Sequence, residues 1–68
     1  MKPEEIFGVN AGKVWNALKT KGPLSSTAIA KETGLKLNDV FGALGWLGRE
    51  GKIEIIEDKG KILYKLID

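Results

Sequence analysis

The sequence predicts a small α+β domain, mainly helical, in which three helices are followed by a β-hairpin. Three observations carry that expectation: apolar stripes with a helical period, glycines at 22, 34 and 51 that punctuate them, and a change to period-two alternation after Gly51. With 68 residues and 7.4 kDa the chain has room for one domain, read as residues 1–68.

The first helix is expected over residues 4–21. Phe7, Ala11, Val14, Trp15 and Leu18 recur at three- and four-residue steps, one apolar stripe of a 3.6-period helix. Pro3 suits a first turn, Glu4 and Glu5 complement the positive end of the dipole, and Lys19 and Lys21 the negative end. Gly22 followed by Pro23 stops the helix. Asn10 offers a second start, as the cap of a shorter helix from Ala11.

The second helix is brief, residues 26–33. Ser25 or Ser26 caps it, Gly34 terminates it, and Ile29 and Ala30 supply apolar contacts between Leu24 and Leu35. The third is expected over 38–50, with Asn38 as cap and Asp39 in the first turn. Val40, Ala43, Leu44 and Leu47 lie within about 100° on its wheel and should face the core.

Strands follow at 52–57 and 61–67. With Lys59-Gly60 as a two-residue tip, Ile53 faces Leu66 and Ile55 faces Tyr64 on one side of the ribbon. Glu54 then meets Lys65 and Asp58 meets Lys61 on the other. A three-residue loop would set Ile53 against Lys65 instead. A short extra strand near residues 23–24 has room to pair with the hairpin. Three helices, a short turn between the second and third, and a terminal hairpin make the winged helix-turn-helix order, with Gly34-Leu35-Lys36-Leu37 as the turn.

Composition narrows the chemistry. Cysteine and histidine are both absent, which removes disulfides, thiol nucleophiles, imidazole bases and Cys/His zinc sites. Glu4/Glu5 and Glu57/Asp58 sit at a terminus and a turn, not in a cleft that could separate two carboxyl pKa values. Ser25, Ser26 and Thr27 have no base among their neighbours and read as caps. No phosphate-binding glycine loop occurs; Gly42-Ala43-Leu44-Gly45 and Gly45-Trp46-Leu47-Gly48 match a G-x-x-G pattern but fall inside a helix without a basic residue between the glycines. No enzyme, metal, cofactor or small-molecule substrate is expected. No apolar run reaches the roughly 20 residues of a membrane span, and Met-Lys-Pro-Glu-Glu lacks the layout of a secretory signal, so the cytoplasm is the default expectation.

Two binding roles remain. Eleven Lys+Arg against nine Asp+Glu leave a net charge of +2, a slight basic excess. For double-stranded DNA the candidates are Lys36 and Asn38 at the start of the third helix, Arg49 at its end, and Lys59 and Lys61 at the hairpin tip. The alternative is a protein interface, a homodimer, because a core this small gains from a partner. Its candidates are Gly42, Gly45 and Trp46 on the face opposite the core stripe, and Ile56 and Leu63 on the outer side of the hairpin. Trp46 either tucks against the first helix or the hairpin, or stands free as an anchor. Each helix-interior glycine costs about 0.8–1.0 kcal/mol relative to alanine, so these glycines need a reason.

Two segments carry a further likeness. Ile6-Phe7-Gly8-Val9-Asn10-Ala11-Gly12-Lys13-Val14-Trp15 and Ala43-Leu44-Gly45-Trp46-Leu47-Gly48-Arg49-Glu50 resemble a small family of prokaryotic winged helix-turn-helix domains without an assigned function. The resemblance spans almost the whole chain. It implies the fold and, by analogy, association with nucleic acid, and leaves the biochemical role blank; the expected role is a DNA-binding or transcription-associated module acting by backbone contact.

Overall fold

The computed structural model describes residues 2–67, with side chains for all of these except residues 3 and 4. Helix α1 (Pro3–Lys21), α2 (Ser26–Thr33) and α3 (Leu37–Arg49) precede strands β1 (Ile53–Asp58) and β2 (Lys61–Leu66). The long first helix is the one that forms. It runs through Asn10 without a break and ends where Gly22, at φ 84°, donates its N–H to the Leu18 carbonyl. A left-handed φ there is open to glycine and strained for other residues. Glu4, expected to complement the dipole, lies outside the described side chains.

Ser25 is the cap of α2: its Oγ accepts from the Ala28 N–H at 3.2 Å, satisfying a donor that the helix start leaves free. Gly34 closes the same helix at φ 76° and ψ 6°, with its N–H on the Ala30 carbonyl. Thr33 Oγ1 then accepts from Leu35 N–H at 3.2 Å, which fixes the direction of the turn into α3.

Asn38 is not the cap of α3. The turn after Gly34 uses only Leu35 and Lys36 before helical geometry begins, so Lys36 takes the cap position with ψ 152° and no side-chain bond. Val40 N–H donates to the Lys36 carbonyl as the first bond of the ladder, and Asn38 is an exposed residue of the first turn. The far end of α3 tightens through Glu50 to Gly51, whose φ of 71° releases the chain into the hairpin.

The hairpin is antiparallel with Ile53 opposite Leu66, Glu54 opposite Lys65, Ile55 opposite Tyr64 and Asp58 opposite Lys61. This is the two-residue register. Lys59 and Gly60 both have positive φ, 51° and 81°, the signature of a type I′ turn whose twist matches that of the strands. The expected extra strand near residues 23–24 is reduced to a single bridge at Leu24, outside the two-stranded sheet: its N–H donates to the Tyr64 carbonyl at 3.1 Å and its carbonyl accepts from Tyr64 N–H at 2.8 Å. Lys52 N–H on the Leu47 carbonyl ties the base of the wing to α3, and Ile67 N–H on the Lys52 carbonyl joins the two arms of the hairpin there.

The core is built from one face of each helix. Ala11, Val14 and Leu18 of α1, Ile29 of α2, and Val40, Ala43, Leu44 and Leu47 of α3 are buried, and Leu24, Leu35, Ile53, Tyr64 and Leu66 pack around them. The buried residues of α3 are the four on the predicted stripe. Phe7 departs from expectation. It stands at the rim, 38% exposed, packed on α3 at Gly42 and Trp46 outside the buried cluster.

Candidate interaction surfaces of helix three and the wing

Helix α3 presents two kinds of side chain outside the core, and the structure separates them. Trp46 is half-buried, lies against the core, and stacks on Phe7 of α1 with ring centroids 6.2 Å apart and planes at 22°. Such a pair contributes about 0.5–1.5 kcal/mol beyond burial. Gly42 serves the same contact: a Cβ there would come within 3.0 and 3.2 Å of the Phe7 ring. Of the alternatives for Trp46, the tucked one is therefore what forms. Gly42 and Trp46 thus both meet Phe7 within the chain and remain half-buried.

Gly45 is different. A Cβ built on it or on Gly48 meets nothing within 4 Å, so no packing in the chain demands either glycine. The outward arc of α3 carries Leu37, Phe41, Gly45 and Gly48, with Asn38 and Arg49 on its flank, all exposed. Phe41 is the aromatic that faces solvent, 48% exposed, and Leu37 one turn before it is 42% exposed. The sequence held this signal: Phe41 follows Leu37 and precedes Gly45 at four-residue steps, outside the core stripe.

The exposed arc has a groove on each side of Phe41. One, between α3 and the wing, has Phe41, Gly45 and Gly48 on one wall and Ile53, Glu54 and Ile55 on the other, enclosing about 540 Å³. The other, toward α1, is bounded by Phe7, Phe41, Gly45, Trp46 and Arg49 and encloses about 430 Å³.

On the wing, Ile56 and Leu63 pair across the strands on the face turned from the core, as the register predicts. They shield one another and are half-buried. Ile55 is the bare residue at 65% exposure, although it points to the core side, because the ribbon outruns the helical body there. Of the two isoleucines on that side, Ile53 packs against the core and Ile55 does not.

The cationic candidates are all exposed: Lys36, Arg49, Lys59 and Lys61, together with the amide Asn38. Asn38 and Arg49 stand eleven residues apart, about 16 Å along the helix, at its two ends. Lys59 and Lys61 flank the wing tip with the exposed Glu57 and Asp58 beside them. Lower on the wing, Lys65 and Glu54 approach to 4.0 Å, and Lys52 meets Glu50 at 3.7 Å, both pairs largely solvated and weak.

Nothing in the hydroxyl cluster is poised for catalysis. Ser25 Oγ is engaged as the α2 cap and lies 3.2 Å from Thr27 Oγ1. Among the described residues no group of acidic side chains is arranged to hold a metal ion, and no helix is long and apolar enough to cross a membrane.

Comparison with known proteins agrees with this geometry. The chain is 36% identical over 62 residues to uncharacterized protein MJ1608 of Methanocaldococcus jannaschii, covering 88% of this chain and 89% of that protein. Its fold is similar to the solution NMR structure of protein BT2368 from Bacteroides thetaiotaomicron, with a TM-score of 0.87 and 35% identity over 96% of this chain and 79% of the other. A family model described as winged helix-turn-helix domain (DUF2582) matches residues 1–66. On sequence, topology and match alike, the chain belongs to this winged helix-turn-helix domain family.

Proposed function

We propose that this domain is a DNA-binding, transcription-associated module that holds double-stranded DNA by its backbone rather than by reading bases, and that it acts in the cytoplasm. Winged helix-turn-helix domains commonly bind DNA, the third helix and the wing together making the contact surface. The observation that carries the reading is the wing tip: a type I′ turn projects Lys59 and Lys61 into solvent, and the groove shared by α3 and β1 sets that wing beside the exposed arc of α3. Lys36, Asn38 and Arg49 complete the set. Base reading needs several Arg, Lys, Asn or Gln side chains along the middle of the helix. Here the middle of the exposed arc is Phe41 and Gly45, so sequence selectivity is expected to be low.

The test is titration of a labelled duplex at 50 and 200 mM salt. Four phosphate contacts from Lys36, Arg49, Lys59 and Lys61 give a log–log slope near −3.6, about a hundredfold weakening over that range. Replacing Lys59 and Lys61 together by alanine should flatten the slope by about two. Absence of binding at the lower salt, or binding with a flat slope, refutes the reading.

A second reading, a protein interface, is favoured by one feature: Leu37 and Phe41 are exposed beside the bare Gly45 on the helix that would otherwise enter a groove.

A further inference from the structure

We infer that the exposed arc of α3 is a self-association surface whose occupant is a second copy of this chain, with Phe41 of each copy seated in the groove between α3 and the wing of the other. The inference rests on the protein-interface reading, and the dimer would compete with DNA for the α3 arc and Arg49.

Shape is the first argument. A two-fold interface must carry both halves of its own complement on one patch. Phe41 is a half-exposed aromatic ridge, and directly beside it lies a groove floored by Gly45 and Gly48 and walled by Ile55. Its volume of about 540 Å³ accepts a phenyl ring. Open space above Gly45 and Gly48 lets a second helix approach closely, which gives those glycines the reason that packing inside the chain does not supply. Leu37 and Ile55, exposed at either end of the same strip, would be covered by the same event.

Charge is the second argument, and it selects the symmetry. Arg49 borders the groove on the α1 side of Phe41, whereas Glu54 borders the groove on the wing side. A two-fold axis running along α3 sets the α1 side of one copy over the wing side of the other. Each Phe41 then enters the opposite copy's wing groove, and each Arg49 comes beside the opposite copy's Glu54. Opposite charges meet twice. An axis perpendicular to the helix would instead set α1 side over α1 side and wing side over wing side, and Arg49 would not face Glu54. Within its own copy Glu54 holds only the solvated contact to Lys65, which a guanidinium can displace.

Sedimentation of the full chain from 10 µM to 1 mM tests this. The wild type is expected to move from the 7.4 kDa monomer toward a dimer as concentration rises. Phe41→Ser and Gly45→Gln should each weaken the dimer at least about tenfold, the loss expected for a central interface anchor. Both positions are exposed, so circular dichroism should report an intact fold for each. Arg49→Glu and Glu54→Arg should each weaken association, and the double reversal should restore it. A wild type monomeric at 1 mM overturns the inference. So does a dimer indifferent to Phe41→Ser, which would place the contact elsewhere, for instance on Ile56 and Leu63. A double reversal no better than either single change overturns the proposed axis. DNA titration of the Phe41→Ser variant reports on the DNA reading separately.

Discussion

Replacing Gly45 by alanine should stabilise the monomer, and replacing Gly42 by alanine should not. Both glycines lie inside α3, where alanine is favoured by about 0.8–1.0 kcal/mol. At Gly45 the added methyl meets nothing within 4 Å, so the whole gain should appear. With an unfolding entropy near 2.1 cal/mol/K per residue, a chain of this length gains about 6–7 °C in Tm from that change. At Gly42 the methyl would press on Phe7 at 3.0 and 3.2 Å. Phe7 can swing outward, but doing so gives up its stack on Trp46, about 0.5–1.5 kcal/mol, which cancels the helix-propensity gain or exceeds it. The assay is thermal unfolding followed by circular dichroism at low micromolar concentration, repeated at a tenfold lower concentration to exclude a contribution from association. Equal gains at the two positions would refute the role assigned to Phe7. A fall in Tm for Gly45→Ala would refute the claim that the space above it is empty.

Three further outcomes follow from the same structure. Ile29→Ala empties the fully buried centre of the core and should cost about 2–5 kcal/mol, a large part of the roughly 3–10 kcal/mol available to a chain this size; urea unfolding should show it as a much lower midpoint with little change in slope. Ser25→Ala removes the acceptor for the Ala28 N–H and should cost about 1 kcal/mol, whereas Ser25→Asp should retain most of the stability, as measured by the same unfolding curves. Lys59→Asn relieves a left-handed residue in a type I′ turn and should raise stability by about 0.5 kcal/mol, while lowering the salt slope of any DNA binding by about one.

The same comparison of Gly42 with Gly45 explains why helix glycines are hard to interpret from composition. Both interrupt an amphipathic helix, both lie off the core stripe, and both match a G-x-x-G spacing. One leaves room for a ring delivered by a distant helix, and the other leaves open surface. The +2 net charge is similarly uninformative until placed, since the wing lysines share their tip with Glu57 and Asp58.

The element order, the stop at Gly22, the left-handed Gly34 and the four buried residues of α3 are legible in the sequence, which narrows the α2 cap to Ser25 or Ser26 and the hairpin to two registers. These depend on short-range rules: residue period, capping chemistry and the φ values that particular turns require. Asn38 has capping chemistry, but helical geometry already begins at Leu37, which leaves Lys36 at the cap of α3. Which aromatic of α3 is free and which isoleucine of β1 is bare depends on contacts between elements distant in the chain. Trp46 is covered because Phe7 arrives from the far end of the chain, and Phe41 is left exposed because nothing in the chain arrives over it. Ile55 is exposed because the wing extends beyond the helices that bury Ile53, and strand alternation specifies a side of the ribbon but not what lies opposite it.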